Sequence, residues 1–179
     1  PLDGETWSED ECVAAFRDVV ADSVRRELVS DVPLGVFLSG GLDSTTVTGL
    51  MAGTVSEPLR TFCVGYGSSE GVNERPYARV APERFNTVHR EVEIGLAEFW
   101  RLLPEAVTAM EEPVAEAPAV SLLQLSRFTR QHVTVVLSGE GADENLAGYN
   151  IYQRVLRTRP FAWVPALGSL SRLARSHRA

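Results

Sequence analysis

Apolar residues recur along this chain with two alternating periods. Val13, Phe16, Val20, Val24 and Leu28 stand three or four apart, one stripe of a helix, and Ser8 with Glu11 forms a capping box at its start. Pro33 ends that helix, and the run LGVFL (34–38) predicts a short strand. A second helix is expected to begin near Asp43 with Val47, Leu50 and Met51 facing inward, and TFCVGY (61–66) is the next strand. Residues 74–85 carry a helical pattern interrupted by Pro82. Val88, Val92 and Ile94 mark a third strand, and Leu96, Phe99, Trp100, Leu103, Val107 and Met110 are expected to line one helix face. A loop EEPVAEAP (111–118), a helix SLLQLSRFTRQ (121–131) and a strand VTVVL (133–137) follow. Strands that are short apolar runs, alternating with helical segments, predict an α/β fold: a Rossmann-like parallel sheet flanked by helices on both faces.

One internal echo changes the picture. VFLSGGLDS (36–44) and VVLSGEGADE (135–144) share an apolar strand, then Leu, Ser and Gly, then an aspartate. About 100 residues is too long for a solenoid period, so these are two strands ending in the same kind of turn. Ligands of open α/β sheets sit at strand carboxyl ends beside a topological switch point. If the two strands are neighbours there, Asp43 and Asp143 face one crevice.

Composition narrows the classes. The 179 residues are 44% hydrophobic and 23% charged, ordinary values for one soluble domain. No apolar run approaches the roughly 18 residues of a membrane span, and the opening PLDGETWSEDEC lacks a signal-peptide pattern. Cys12 and Cys63 have neither metal-ligand nor C-x-x-C spacing, and read as buried thiols of a cytoplasmic protein. The formal net charge of −7 conceals a basic tail: residues 151–179 carry six arginines and no acid. Those arginines are dispersed among Leu, Val, Trp and Phe, as on the surface of a helix, rather than blocked together for nucleic acid. We therefore expect a domain over 1–152 and, over 153–179, a basic helical segment opening a truncated C-terminal helical region. The start at Pro1 points to a piece of a longer protein.

Gly40 and Gly41 remove two Cβ atoms where a backbone would have to approach an anion, and the following helix offers free N–H groups and the positive end of its dipole. Ser39, Ser44 and Thr45 add hydroxyls. Asp43 would repel a bare phosphate, so it makes sense as a ligand for Mg²⁺. The Walker pattern is missing, and the chain has no lysine at all. Taken alone, a Gly-Gly turn before a helix serves equally as a connector. The second loop adds Glu140, Asp143 and Glu144 around two glycines; a helix N-terminus explains the last two acids better than the first. His89 and His132 lack partners at ligand spacing, and Trp7, Trp100 and Trp163 read as packing residues.

The S-G-G-L-D-S run (39–44) resembles the pyrophosphate-binding loop of the ATP pyrophosphatase superfamily. DVPLGVFLSGGLDS, TFCVGY, ERPYAR and LSGEGADENLAGY, in that order, resemble the synthetase domain of glutamine-dependent asparagine synthetases from about Val13 to Tyr152. The resemblance implies an ATP-dependent ligase that adenylates a carboxylate, most simply aspartate, and delivers it to ammonia. It implies that Ser39, Gly40, Gly41, Leu42, Asp43 and Ser44 hold pyrophosphate, and that Asp43 and Asp143 carry Mg²⁺. Leu38, Val64 and Gly139 would lie along the adenosine, and Glu140 would act beside the acyl-adenylate as a base or positioning group.

The family's catalytic lysine would lie beyond Ala179, and its glutaminase domain, the ammonia source, is absent from the chain. The fragment alone is thus expected to be inactive, and the full-length protein to be a possible homodimer without nucleic-acid or membrane partners. Glu111-Glu112-Pro113, Glu116-Ala117-Pro118 and ENLAGY, where relatives commonly read D-E-P, D-P-S and ELFGGY, bear on the amino-acid substrate more than on the nucleotide. The rivals are a β-lactam synthetase, which carries tyrosine where Glu140 stands, a peptide macrolactam cyclase, and a non-catalytic nucleotide-binding paralogue.

Overall fold

A computed structural model describes residues 6–67, 74–112, 116 and 118–158. Most of the expected basic segment and much of the 111–118 loop lie outside the described residues. The described chain falls into two units, one ending at Gly139 and one beginning at Glu140.

The first unit runs α1 (Glu9–Glu27), β1 (Leu34–Phe37), α2 (Leu42–Ala52), β2 (Arg60–Tyr66), α3 (Arg75–Ala78), α4 (Val80–Phe85), β3 (Val88–Ile94), α5 (Leu96–Met110), α6 (Pro118–Thr129) and β4 (Val135–Leu137). All pairings are parallel, in the order β3-β2-β1-β4. Parallel neighbours need crossover connections, and the helices between the strands supply them. The chain steps outward from β1 through β2 to β3, then returns to lay β4 on the other side of β1, in register Leu34↔Val135, Gly35↔Val136, Val36↔Leu137. The switch point therefore falls between the two strands whose sequences echo one another.

Side-chain alternation divides the core. Val36 and Leu38 of the β1 segment and Cys63 of β2 meet the helices α1 to α4, in clusters with Val24, Met51, Leu59, Ala78 and Ala81. Phe62 and Val64 of β2, with Val92 and Ile94 of β3, pack on the opposite face against Leu102, Ala106, Val120 and Leu125 of α5 and α6. Phe62 is wholly buried, and removing such a ring costs about 3–5 kcal/mol.

Four expectations change. In α1 the capping box forms, with the Glu11 carboxylate accepting from Ser8 N at 2.8 Å, but only the C-terminal half of the stripe is covered. Val24 is buried, whereas Val13 and Phe16 stay 59% and 46% exposed, because only that half overlies Val36, Met51 and Leu59. In α5 the buried face is Leu102 and Ala106, flanked by Phe99 and Leu103; Leu96, Trp100, Val107 and Met110 are exposed. A small alanine, not the larger Trp100, joins Leu102 in the buried cluster. Cys63 is buried as expected, but Cys12 is exposed on α1. The 74–85 pattern forms two short helices that break at Arg79, and Pro82 falls in the first turn of α4, where its missing N–H costs nothing.

A polar chain crosses the β2–β3 face that looks toward α3. His89 Nδ1 lies 2.8 Å from Thr61 Oγ1, His89 Nε2 lies 3.2 Å from Glu91 Oε1, and Arg79 reaches both Glu91 oxygens at 2.7 Å. A carboxylate can only accept, so the imidazole proton sits on Nε2 and the Thr61 hydroxyl donates to Nδ1. Burial holds His89 below the usual imidazole value, against the opposing pull of Glu91. The Arg79 hydrogen bonds hold Glu91 below the usual carboxylate range. Both folded values are depressed, so the unfolded chain takes up protons first and acid removes stability. We expect the urea midpoint to fall in two stages. The first begins as pH drops below about 6.5 and belongs to His89; the second begins below about 4.5 and belongs to Glu91 together with Glu11 and Glu98, whose values Ser8 and Arg101 also depress. His89→Gln should abolish the upper stage and leave the lower one. A wild-type midpoint constant from pH 7 to 5.5 would contradict the burial of a neutral imidazole.

Candidate functional site

The first loop leaves β1 at Leu38, which is buried and donates its N–H to Phe62 O at 2.8 Å. Gly40 then takes φ +85°, a conformation L side chains rarely adopt, and a Cβ there would stand 2.5 Å from Ala78 N and 2.6 Å from Tyr77 C. Gly41 is the N-cap of α2 and brings no side-chain acceptor to the helix start. A Cβ on Gly41 would meet only Ser39 Oγ at 3.4 Å, so the space in front of α2 is open. Ser39 and Ser44 hydroxyls stand 3.0 Å apart, Ser39 Oγ accepts from Gly41 N at 3.3 Å, and Ser44 Oγ accepts from Ser39 N at 3.3 Å. Ser44 is buried, and Leu42 is 87% exposed beside it. An uncapped helix N-terminus, two linked hydroxyls and an open approach make a site for an anion.

The second loop begins against the first. A Cβ on Gly139 would lie 2.7 Å from Ser44 N and 3.0 Å from Asp43 Cβ, so the backbone after β4 rests on the first turn of α2. Only glycine permits that approach.

The second unit carries α7 (Ala142–Leu146) and α8 (Asn150–Thr158). Gly141 caps α7 at φ +89°, and Asn145 Nδ2 donates to Gly141 O at 2.6 Å. Asp143 and Glu144 occupy the first turn of α7, where the helix dipole favours acids. Tyr149 donates its hydroxyl to Glu144 Oε1 at 2.7 Å; that bond, with burial and the nearby acids, pushes the phenol up to about 12. A Cβ on Gly148 would fall on Asp143 Oδ1, so the carboxylate folds over the Gly148 main chain. Ala147 caps α7 at φ +55°, in the left-handed region.

Leu38, Ser39, Gly40, Gly41, Leu42, Asp43, Ser44 and Gly139 thus gather at the end of β1 and the start of α2. Val64 sits in β2 with its side chain among the α5–α6 residues, whereas Leu38 packs on the other face with Cys63, Ala78 and Ala81. A ligand touching both would meet the main chain at the strand ends, not the two side chains. Glu140 and Asp143 belong to the second unit. His132 stacks on Phe62 at 5.8 Å, a packing role. Among the described residues no three His, Cys, Asp or Glu form a group able to hold a metal by themselves. Sequence reading missed the Tyr77–Ala78 main chain beside Gly40, the Arg79–Glu91 pair, and Gly148. The ERPYAR and ENLAGY runs contain most of these, but a residue whose task is to stand close to another leaves no chemical signature of its own.

Two loops at neighbouring strand ends, on either side of the switch point of a parallel sheet, define an α/β protein of the ATP pyrophosphatase fold class. The asparagine synthase family matches residues 15–179, and the chain belongs to that family. It is 37% identical over 158 residues to asparagine synthetase [glutamine-hydrolyzing] 1 of Bacillus subtilis, covering 88% of this chain and 25% of that protein. A second B. subtilis relative, asparagine synthetase [glutamine-hydrolyzing] 3, is 33% identical over 172 residues, covering 89% and 28%. The chain therefore spans about a quarter of the length of these relatives. Among solved structures, the NH3-dependent NAD synthetase from Campylobacter jejuni, in complex with the nitrate ion, superposes with a TM-score of 0.51 at 16% identity, covering 76% of this chain and 60% of that one. This last likeness concerns the fold.

Two substitutions probe the loops. Gly139→Ala must push the chain off α2, and we expect a loss of about 2–4 kcal/mol in denaturant unfolding. Ala147→Gly should instead gain about 0.5–1 kcal/mol by relieving the left-handed alanine. A neutral Gly139→Ala, or a destabilising Ala147→Gly, would contradict the loop geometry.

Proposed function

We propose that this chain is the nucleotide-binding part of an ATP-dependent amide-forming synthetase, and that residues 39–44 cradle the pyrophosphate. The observation that carries the reading is the open, uncapped start of α2, flanked by two hydroxyls and met from the other side of the switch point by Gly139. The reaction class is the one the family resemblance implies, and an anion cradle without the Walker pattern is consistent with it. A carboxylate oxygen, of aspartate in the simplest case, bonds to the α-phosphorus of ATP as the bond to the bridging oxygen breaks and pyrophosphate departs. Ammonia then forms the C–N bond, gives up a proton and displaces AMP. The α2 N–H groups and the Ser39 and Ser44 hydroxyls receive the departing pyrophosphate charge in a prearranged geometry, which needs no reorganisation as the charge develops.

Asp43, in the first turn of α2 beside the opening, offers carboxylate oxygens suited to a hard divalent cation, and Asp143 is its proposed partner. When bound, Mg²⁺ would neutralise charge on the leaving group. Glu140 is the candidate to receive the ammonia proton or to hold the acyl-adenylate. Leu38, Val64 and Gly139 would approach the adenosine through their main chain. Ammonia would come from a glutaminase domain elsewhere in the full-length gene product, and residues 1–152 would form the synthetase-type domain.

Product analysis on the full-length gene product tests the reaction class: AMP and pyrophosphate are expected, and ADP with orthophosphate would refute adenylation. Asp43→Asn and Asp143→Asn should each slow adenylation about 10²-fold or more, equivalent to ~3 kcal/mol. The double variant should be little worse than either single one, since residues holding one ion act as a unit. Wild-type rates in both well-folded single variants would remove the carboxylates from the site.

A further inference from the structure

The α3–α4 segment touches the first loop through its backbone, and it is fastened in four places. The Tyr77–Ala78 main chain fills the space a Gly40 side chain would need. The Phe85 ring of α4 lies over α2 at Gly49, where a Cβ would stand 2.9 Å from the ring. The third fastening is charged and directional: Arg79, at the junction of the two helices, holds both oxygens of Glu91 on β3 at 2.7 Å. Backbone, ring and core contacts, the last through Ala78 beside Leu38 and Cys63, set how near α3 comes, and the charged pair adds a direction. A two-point guanidinium–carboxylate pair fixes an orientation as well as a distance. Glu91 is suited to serve as the fixed end, since its side chain is only 17% exposed and it also accepts from the half-buried His89. A second pair, Arg75 to Glu93 at 2.8 Å, ties the start of α3 to the same strand.

We propose that Glu91, acting through Arg79, is a positioning residue for the pyrophosphate loop. It sets the tilt of α3, and the Tyr77–Ala78 main chain then holds Gly40 in its left-handed conformation with the α2 donors turned to the opening. The inference rests on the reading of residues 39–44 as a pyrophosphate cradle. Loosening the pair lets α3 swing and lets Gly40, the most conformationally free residue of the turn, sample other states. Donors that are ordered beforehand must then be ordered by the ligand, so affinity for the phosphate end falls.

The test is calorimetric binding of Mg·pyrophosphate, Mg·ATP and adenosine to the full-length gene product and its variants. Glu91→Gln and Arg79→Met should each raise the Kd for Mg·pyrophosphate and Mg·ATP about tenfold, about one charge-assisted contact, and leave the Kd for adenosine unchanged. The double variant should match the singles, and Arg79→Lys, which keeps the charge and one hydrogen bond, should fall between. General loss of structure would weaken adenosine as well. Glu105→Gln, which breaks the 2.6 Å Arg127–Glu105 pair between α5 and α6, supplies a control that should move none of the three constants. Unchanged phosphate affinity in Glu91→Gln and Arg79→Met, or equal weakening of adenosine, overturns the positioning role alone. An unsubstituted protein that binds no Mg·pyrophosphate overturns the cradle reading and this one with it.

Discussion

The arrangement depends on the exposed beginning of one helix. The α2 start has no side chain folded over it, and the residues around it are chosen for closeness rather than for capping. Gly41 as N-cap leaves N–H groups unsatisfied within the protein, a cost that an ordinary helix avoids with Ser, Thr, Asp or Asn. Gly40 on one side and Gly139 on the other bring main chain to within van der Waals distance of the same turn. The helix end is thereby walled by backbone and left open toward solvent.

That geometry needs the sheet order. A β4 added beyond β3 would put Gly139 two strands away from α2; its return to the far side of β1 puts the two loops side by side. The apolar runs, the Pro and Gly punctuation and the echo between the two strand ends made the parallel sheet and this adjacency legible. The runs at 34–38, 61–66 and 133–137 each contain a strand because parallel strands covered by helices are apolar, and short turn-bounded runs of that kind have few other uses. The helices were read less well at the level of faces. In α5 the same residues support two overlapping stripes, and the choice between them depends on whether Ala106 or Trp100 fits under the neighbouring layer, which is a property of α6 and the sheet. In α1 the stripe is continuous in sequence, but the surface that could cover it ends at Val24 and its neighbours.

The candidate site divides along the same line. Residues with chemistry of their own, Ser39, Asp43, Ser44, Glu140 and Asp143, stand out in the sequence because an acid or hydroxyl beside a glycine pair calls for a reason. Tyr77 and Ala78 do not, because they act through main-chain atoms common to every residue. Arg79 and Glu91 are 12 positions apart on different elements, and no local pattern pairs them. Leu38 and Val64 show the converse: the sequence marks both as apolar strand residues, and only the pleat reveals that their side chains part company.

Charge accounts for one remaining choice. Residues 1–179 contain no lysine, and the first turn of α2 carries an acid. An aspartate near the positive end of a helix is stabilised by the dipole, so Asp43 by itself is unremarkable as a helix residue. On the proposed reading, however, its charge would oppose an anion at that opening unless a cation stood between them. The cation would then carry the net charge and leave the two hydroxyls and the N–H groups to meet phosphate oxygens. Arginine, planar and always protonated, would compete with that cation as a fixed charge. The arginines nearest the loop are instead committed elsewhere: Arg75 and Arg79 hold Glu93 and Glu91 of the edge strand. Their positive charge ties α3 and its junction with α4 to β3, and the described first loop presents N–H groups, hydroxyls and Asp43.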